Sequence, residues 1–155
     1  MAPDAPAYPG GLARPTELVR LAHAYRDAAS ALAATGRRGD HFSRAPFRLV
    51  AIHAIELYLN AWLLQCGHAP SRVRSFQHDL GARAELATSS GLALRRGTSK
   101  HLRDLSDRRE YLVTRYDTGM GPSLSQLNRL TATLADVSAK VSRAVPGASP
   151  STQKA

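Results

Sequence analysis

The segment AIHAIELYLNAWLLQCGHAPSRVRSFQHDL, residues 51–80, decides the fold because its first half has the composition of a buried helix. Three polar residues interrupt that helix, and at about 100° per residue His53, Glu56 and Asn60 fall on one face, the polar stripe. Burying an imidazole and a carboxylate without partners costs several kcal/mol, so other elements must supply hydrogen-bonded or charged neighbours. We therefore expect a central helix whose polar stripe has partners elsewhere in the fold.

Helical spacing of apolar residues extends on both sides of this segment. It predicts helices over about 16–35, 43–66 and 78–89, a fourth over 100–116 and a fifth that follows residue 123. Ser123 and Gln126 form a capping-box signature for the fifth helix. No stretch shows the alternation of a β-strand. The expected fold is all-α, an antiparallel bundle of four to five helices.

The length of 155 residues fits one domain with three parts. Residues 1–15 are rich in proline and glycine and predict a flexible leader, residues 16–145 the helical bundle, and residues 146–155 a disordered tail. The fifth helix carries an apolar seam that serves either as intramolecular core or as a surface for a partner. The seam consists of Leu127, Leu130, Leu134, Val137 and Val141.

Composition narrows the classes of function. The chain carries a formal charge of +9, with 21 basic and 12 acidic residues. This charge favours phosphate-bearing partners, or it reflects the arginine usage of a GC-rich bacterial genome. Cys66 is the single cysteine, which excludes an intrachain disulfide and a cysteine-rich zinc site. We expect a cytoplasmic protein without a membrane span, a metal or a cofactor, because no span, ligand set or nucleotide-loop motif stands out.

Several short pieces of the chain have a characteristic order and spacing: His53, Ile55, Glu56, Leu57, Leu59, Gly67, His78, Asp79, Leu80, Arg115 and Tyr116. In this order they resemble the HEPN family, helical domains named for higher eukaryote and prokaryote nucleotide binding. The resemblance covers residues 16–142. It implies a compact helical bundle that usually forms a homodimer. It also implies association with RNA or nucleotides in a bacterial toxin–antitoxin, defence or regulatory setting, where a nucleotidyltransferase-like antitoxin pairs with the toxins.

Family ribonucleases resemble one another in an arginine followed after four to six residues by a histidine on the late helices, a pair that cleaves RNA without metal. This chain has no histidine after His101, although four earlier pairs meet the spacing. Arg48 with His53 is the best placed pair, beside the polar stripe, and is our catalytic candidate. The favoured interpretation is nevertheless a non-catalytic protein associated with RNA or nucleotides. A metal-independent endoribonuclease and a protein-interaction module are the alternatives.

Further polar residues are candidates for binding or for architecture. Basic residues in predicted loops and a histidine and aspartate at a predicted helix N-terminus could hold phosphate, or could be solvated and capping residues. These candidates are Arg72, Arg74, His78, Asp79, Arg95 and Arg96. We expect an arginine of the fourth helix to pair with Glu56 and so to position the two helices. The candidates for that role are Arg108, Arg109 and Arg115, the last followed by Tyr116.

Overall fold

The computed structural model describes residues 8–119 and 124–147, and within these ranges the chain forms seven α-helices and no β-strand. The all-α prediction is thus confirmed, with more and shorter helices than the four or five expected. A short 3₁₀ turn, Phe42–Arg44, leads into the second helix. The helices are α1 (Pro15–Ala33), α2 (Ala45–Gln65), α3 (Pro70–Ser75), α4 (Leu80–Ser89), α5 (Arg96–Asp107), α6 (Glu110–Tyr116) and α7 (Leu127–Ala144).

Helix α2 is the centre of the molecule. It contacts α1, α3, α4, α6 and α7, and 11 of its 21 residues are buried. Pro46 lies in its first turn, where a missing N–H breaks no intrahelical hydrogen bond. By length and composition the stretch 42–65 could cross a membrane, but 61% of its most apolar window is buried inside the protein. Packing on several sides by other helices explains the apolar composition of α2 without a bilayer.

The seam of the last helix belongs to the core. Leu130, Leu134, Val137 and Val141 are buried in α7, and Leu127 packs against the same core. Of the two alternatives for this seam, the structure thus supports intramolecular packing, because α7 lies against α2 and α5. The predicted capping box includes Ser123, which lies outside the described residues. Gln126 occupies the N-cap position of α7 without a side-chain hydrogen bond to the helix.

The predicted fourth helix is two helices. The helical conformation is interrupted at Arg109, whose φ of 53° lies in the left-handed region that non-glycine residues rarely adopt. The sequence around this break contains neither glycine nor proline, so nothing local marks it. The turn directs Glu110 into the protein interior, where its side chain is fully buried and meets Arg48. A tertiary contact therefore accompanies a break that helical periodicity did not reveal.

Two segments expected to be irregular carry structure. Residues 70–75, predicted as a connection, form the short helix α3, with Pro70 in the first turn as helix starts favour. Part of the predicted leader is also ordered by contacts. Gly11 donates a backbone hydrogen bond to Tyr8, and the Tyr8 ring lies against the Arg74 guanidinium, 4.6 Å from its centroid. Residues 1–7 of the leader and 148–155 of the tail lie outside the described residues.

Candidate functional site

A cleft of about 410 Å³ runs along the polar stripe, and we call it the stripe cleft. All three stripe residues of α2 line it. The opposite walls come from four places: Leu18 of α1, residues 8–11, α3 with the turn that follows it, and Arg83 of α4. The other polar lining residues are Arg74, Gln77, His78 and Arg83. A stripe predicted from spacing alone therefore borders the space that a ligand could occupy.

Glu56 is paired within the cleft by groups that follow α2 in the chain. Its Oε1 lies 3.4 Å from Nη2 of Arg83, and its Oε2 lies 3.2 Å from Nδ1 of His78. The Glu56 side chain remains 12% exposed, so the pair is not sealed from the cleft. The prediction that Glu56 takes its arginine from the fourth helix is corrected here. The partner is on α4 because α4 packs against α2 at this level.

Arg83 holds the base of the cleft. Its Nε donates to Oδ1 of Asn60 over 2.7 Å, and its Nη2 donates to the backbone oxygen of Val73 over 3.3 Å. Burial lowers the pKa of Arg83, an effect that the Glu56 and Asp79 carboxylates oppose. The side chain is only 2% exposed, so its donors must be satisfied internally. Arg83 thus joins two stripe residues to α3 and fixes the shape of the cleft floor.

His78 forms the rim between the stripe cleft and a neighbouring depression. Its ring stacks on Tyr111 with the centroids 3.8 Å apart and an interplanar angle of 22°. The residue before it, Gln77, has a φ of 51°, which turns the chain toward α4. Asp79 then accepts the Ala82 backbone N–H at 2.9 Å, so it acts as the N-cap of α4. Of the two predicted phosphate candidates here, only His78 faces the cleft.

His53 lies at the other end of the polar stripe. It is half-buried, and its ring meets Tyr25 of α1 edge to face with centroids 4.6 Å apart. Burial lowers its pKa, and Glu56 only partly offsets that effect. Since the ordinary pKa of histidine is already near 6.5, the imidazole is neutral at neutral pH. A neutral His53 can donate one hydrogen bond and accept another but offers no positive charge to a phosphate.

Arg48, the proposed partner of His53 in catalysis, has a separate environment. It is buried, its Nη1 donates to the Ser125 backbone oxygen at 2.7 Å, and the same nitrogen lies 3.7 Å from Glu110. Ser125 in turn donates its hydroxyl to Glu110 at 3.0 Å. Because five residues along a helix turn through about 140°, the two candidates point to different partners. The described chain by itself does not bring Arg48 and His53 together.

The predicted phosphate candidates separate into two places. Arg74 lines the stripe cleft, while Arg72 is exposed on the same short helix. Arg95 and Arg96 lie at the start of α5, where the backbone N–H of Arg95 donates to Asp136 at 3.0 Å. The Arg95 side chain stays 77% exposed at 3.7 Å from the same carboxylate. Only Arg74 of these four belongs to the stripe cleft.

Arg115, near the end of α6, does not have its predicted role as the partner of Glu56. Arg115 donates a hydrogen bond to the Tyr111 hydroxyl, and its guanidinium lies over the rings of Tyr111 and Tyr116. Tyr116 is 70% exposed. Arg109 is the residue at the break between α5 and α6 and lines the depression beyond His78. Arg109 and Arg115 therefore shape the surface near the stripe cleft, in place of the predicted role beside Glu56.

Three residues have roles that the sequence did not predict: Arg83 as the partner of Glu56, and Glu110 and His101 as buried polar groups. Arg83 could have been found, because it is the only arginine between residues 80 and 89 and the stripe requires a cation. Glu110 had no such signal, since its burial depends on the break at Arg109. His101 is fully buried, with Nδ1 at 2.6 Å from the Thr133 hydroxyl. Its Nε2 has no hydrogen-bond partner.

Among the described residues, no group of three or more histidine, cysteine, aspartate or glutamate side chains is arranged to hold a metal ion. The side chains that line the stripe cleft can donate and accept hydrogen bonds and carry charge. Comparisons of this chain with protein-family models, with curated proteins and with solved structures found no match.

Proposed function

We propose that this protein binds a nucleotide, free or as part of RNA, in the stripe cleft and does not cleave it. The observation that carries the proposal is the composition of the cleft. One wall offers a carboxylate and an amide, Glu56 and Asn60, and the rim offers the cation Arg74. A nucleotide base is bound by hydrogen-bond acceptors and donors, which the carboxylate and the amide supply, whereas a phosphate requires a cation. The volume of about 410 Å³ lies in the range typical of small-ligand pockets.

The rim of the cleft supports the phosphate end of this proposal. Arg74 is exposed, and its guanidinium lies over the ring of Tyr8, which is itself 60% exposed. An arginine that is held by a ring and open to solvent can form paired hydrogen bonds to phosphate oxygens. The formal charge of +9 adds long-range attraction for a polyanion such as RNA.

Binding without cleavage is favoured by the surroundings of the two catalytic candidates. The alternative, a metal-independent endoribonuclease, would use Arg48 to stabilise phosphate charge and His53 to transfer a proton. Arg48 is instead engaged by Glu110 and Ser125 in the interior. Rearranging that buried pair would leave Glu110 without its cation, which is costly.

The proposed biological setting follows the HEPN resemblance: a bacterial cytoplasmic protein of a toxin–antitoxin, defence or regulatory system, with a nucleotidyltransferase-like protein as partner. An open surface supports the proposed homodimer. Phe42, 60% exposed, borders a shallow depression together with Thr114 and Arg115 of α6. Leu112 and Tyr116 of the same helix are also exposed. Exposed apolar side chains of this kind also suit the protein-interaction alternative.

Equilibrium binding tests the proposed function directly. Unmodified protein is titrated with 5′-mononucleotides and with a short single-stranded RNA at low and high salt. We expect saturable binding that weakens with salt and that Arg74→Gln reduces. Arg143→Gln is the matched control, because Arg143 is exposed on α7 and does not line the stripe cleft. Absence of binding, or equal losses in both variants, contradicts the proposal.

Integrity of the RNA after long incubation without metal tests the second half of the proposal. We expect intact RNA. Cleavage that Arg48→Ala and His53→Ala both abolish, while the proteins stay folded, would favour the ribonuclease alternative.

Sedimentation of the unmodified protein and of the Phe42→Ser variant tests the homodimer. We expect the unmodified protein to sediment as a dimer and the substitution to weaken the dimer.

A further inference from the structure

We infer that the stripe cleft is selective for guanine, whose Watson–Crick edge donates two hydrogen bonds to the Glu56 carboxylate. The inference rests on the proposed nucleotide binding and names the ligand. Glu56 is the only acidic side chain among the described residues that line the cleft. Its 12% exposure opens into that space. A carboxylate in this position selects ligands that present N–H donors.

The contacts of Glu56 within the protein leave it further capacity to accept hydrogen bonds. Each oxygen has one polar partner, Arg83 at 3.4 Å and His78 at 3.2 Å. An ionised carboxylate has about four acceptor positions, so each oxygen can receive a second donor. Arg83 and His78 also fix the orientation of the carboxylate before a ligand arrives, which lowers the entropy cost of binding.

Guanine fits this acceptor better than the other bases. Its N1–H and N2 amino group are adjacent donors, spaced to meet the two oxygens of one carboxylate. Adenine places the N1 acceptor beside its amino donor, and cytosine presents the N3 and O2 acceptors next to its amino group. In both, a lone pair would face the carboxylate, and such a mismatch in a partly buried site is costly. Uracil has one donor between two carbonyl oxygens.

The neighbours of Glu56 complete the recognition of guanine. Asn60 lies one turn further along α2 on the same face, and its oxygen is occupied by Arg83 Nε at 2.7 Å. Its amide nitrogen is therefore the part that can donate to the O6 acceptor of guanine. At the rim, the Arg74 guanidinium lies over the ring of Tyr8, which is 60% exposed, and its donors can form hydrogen bonds to the phosphate of the same nucleotide.

The test that needs no variant is a comparison of ligands. Unmodified protein is titrated by calorimetry with GMP, with IMP, which lacks the 2-amino group, and with AMP. We expect GMP to bind about tenfold more tightly than IMP, because one hydrogen bond to a charged acceptor is lost. AMP should bind more weakly than IMP. If no nucleotide binds, the proposed function fails. If all three bind equally, or AMP binds best, only the guanine inference fails.

A variant then assigns the preference to Glu56. Glu56→Gln replaces one acceptor oxygen with a donor, so we expect the GMP-to-AMP preference to shrink about tenfold or more. Glu85→Gln makes the same change of charge at an exposed position of α4 outside the cleft and should keep the preference. Thermal melting establishes that both variants are folded. An unchanged preference in folded Glu56→Gln overturns the inference, and an unfolded variant leaves the GMP, IMP and AMP series as the decisive measurement.

Discussion

Helix α2 carries two ion pairs of opposite character. Near its N-terminus, Arg48 and Glu110 lie together in the interior, and Glu110 is fully buried. Further along the helix, Glu56 and Arg83 form a pair whose carboxylate is 12% exposed and borders a cavity. We call the first the closed pair and the second the open pair. Both satisfy buried charge, but only the open pair can exchange a contact with a ligand.

The comparison shows that a buried polar group is not by itself evidence of a site. The candidate chosen from sequence spacing, Arg48, belongs to the closed pair, where Ser125 completes its surroundings. The arginine that borders the cavity, Arg83, was not predicted. The two pairs differ in whether their side chains border the stripe cleft, and the cleft exists because α3 and residues 8–11 lie along α2.

Breaking the closed pair should cost the most stability. Glu110→Leu leaves Arg48 buried without its carboxylate, and we expect the free energy of unfolding to fall by about 3–5 kcal/mol in urea titrations. The double variant Arg48→Met with Glu110→Leu should recover part of this loss, since no uncompensated charge remains, while the Ser125 N–H and hydroxyl still lack their acceptor. A loss below about 1 kcal/mol in the single variant would show that the closed pair is not sealed from water.

Acid should destabilise the region near the closed pair through His101. Burial, together with the smaller effect of the nearby Arg129 cation, lowers the pKa of His101 from 6.5 to about 4. Because the unfolded chain takes up this proton first, the contribution of His101 to stability is complete above pH 6.5 and falls as the pH drops toward 4. The loss amounts to roughly 3 kcal/mol at most.

Urea titrations at pH 7, 5.5 and 4.5 measure this effect. His101→Gln, which does not titrate, should flatten the pH dependence in that window. His41→Gln, at an exposed position, should leave it unchanged. Identical pH profiles for His101→Gln and the unmodified protein would contradict the assignment.

Breaking the open pair should cost less than breaking the closed pair. In Glu56→Gln the amide oxygen still accepts from Arg83, and water in the cleft can reach the site. We expect a loss of about 1–2 kcal/mol in unfolding free energy, measured in the same urea titrations. Glu85→Gln should change stability by less than about 0.5 kcal/mol. A loss for Glu56→Gln as large as that for Glu110→Leu would remove the distinction between the pairs.

The smallest effect on stability is expected at the rim. Arg74→Gln removes an exposed guanidinium that contacts Tyr8, so the free energy of unfolding should change by less than about 0.5 kcal/mol. Nucleotide affinity should nevertheless fall about tenfold, because a charged contact to phosphate is lost. Calorimetry on the folded variant measures this separation of binding from stability. Loss of stability together with unchanged affinity would place Arg74 in the architecture instead.

Sequence reasoning worked where the signal was local. The bounds of α1 and α2 follow from apolar spacing together with Gly36, Pro46 and Gly67, and the structure agrees within a few residues. The polar stripe was found because one face of a helix depends only on spacing. The short helix α3 was missed although Pro70 favours a helix start, because six residues are too few for a periodic pattern.

Reasoning from sequence failed where contacts are long-range. The partner of Glu56 is 27 positions away at Arg83, and helical spacing says nothing about which later helix packs against α2. The break before Glu110 has no local signal, because the left-handed conformation of Arg109 accompanies a long-range contact, the one between Glu110 and Arg48. For the same reason the cleft itself was not predicted: several separate segments enclose it.

The amino-acid sequence by itself determined that this protein is helical, that α2 is its core and that His53, Glu56 and Asn60 share a face, because these properties depend on residues within a few turns of one helix. Only the tertiary structure decided which charges pair and which of them border an open cleft. Those outcomes depend on the packing of α3, α4 and α6 around α2, which joins residues far apart in the chain.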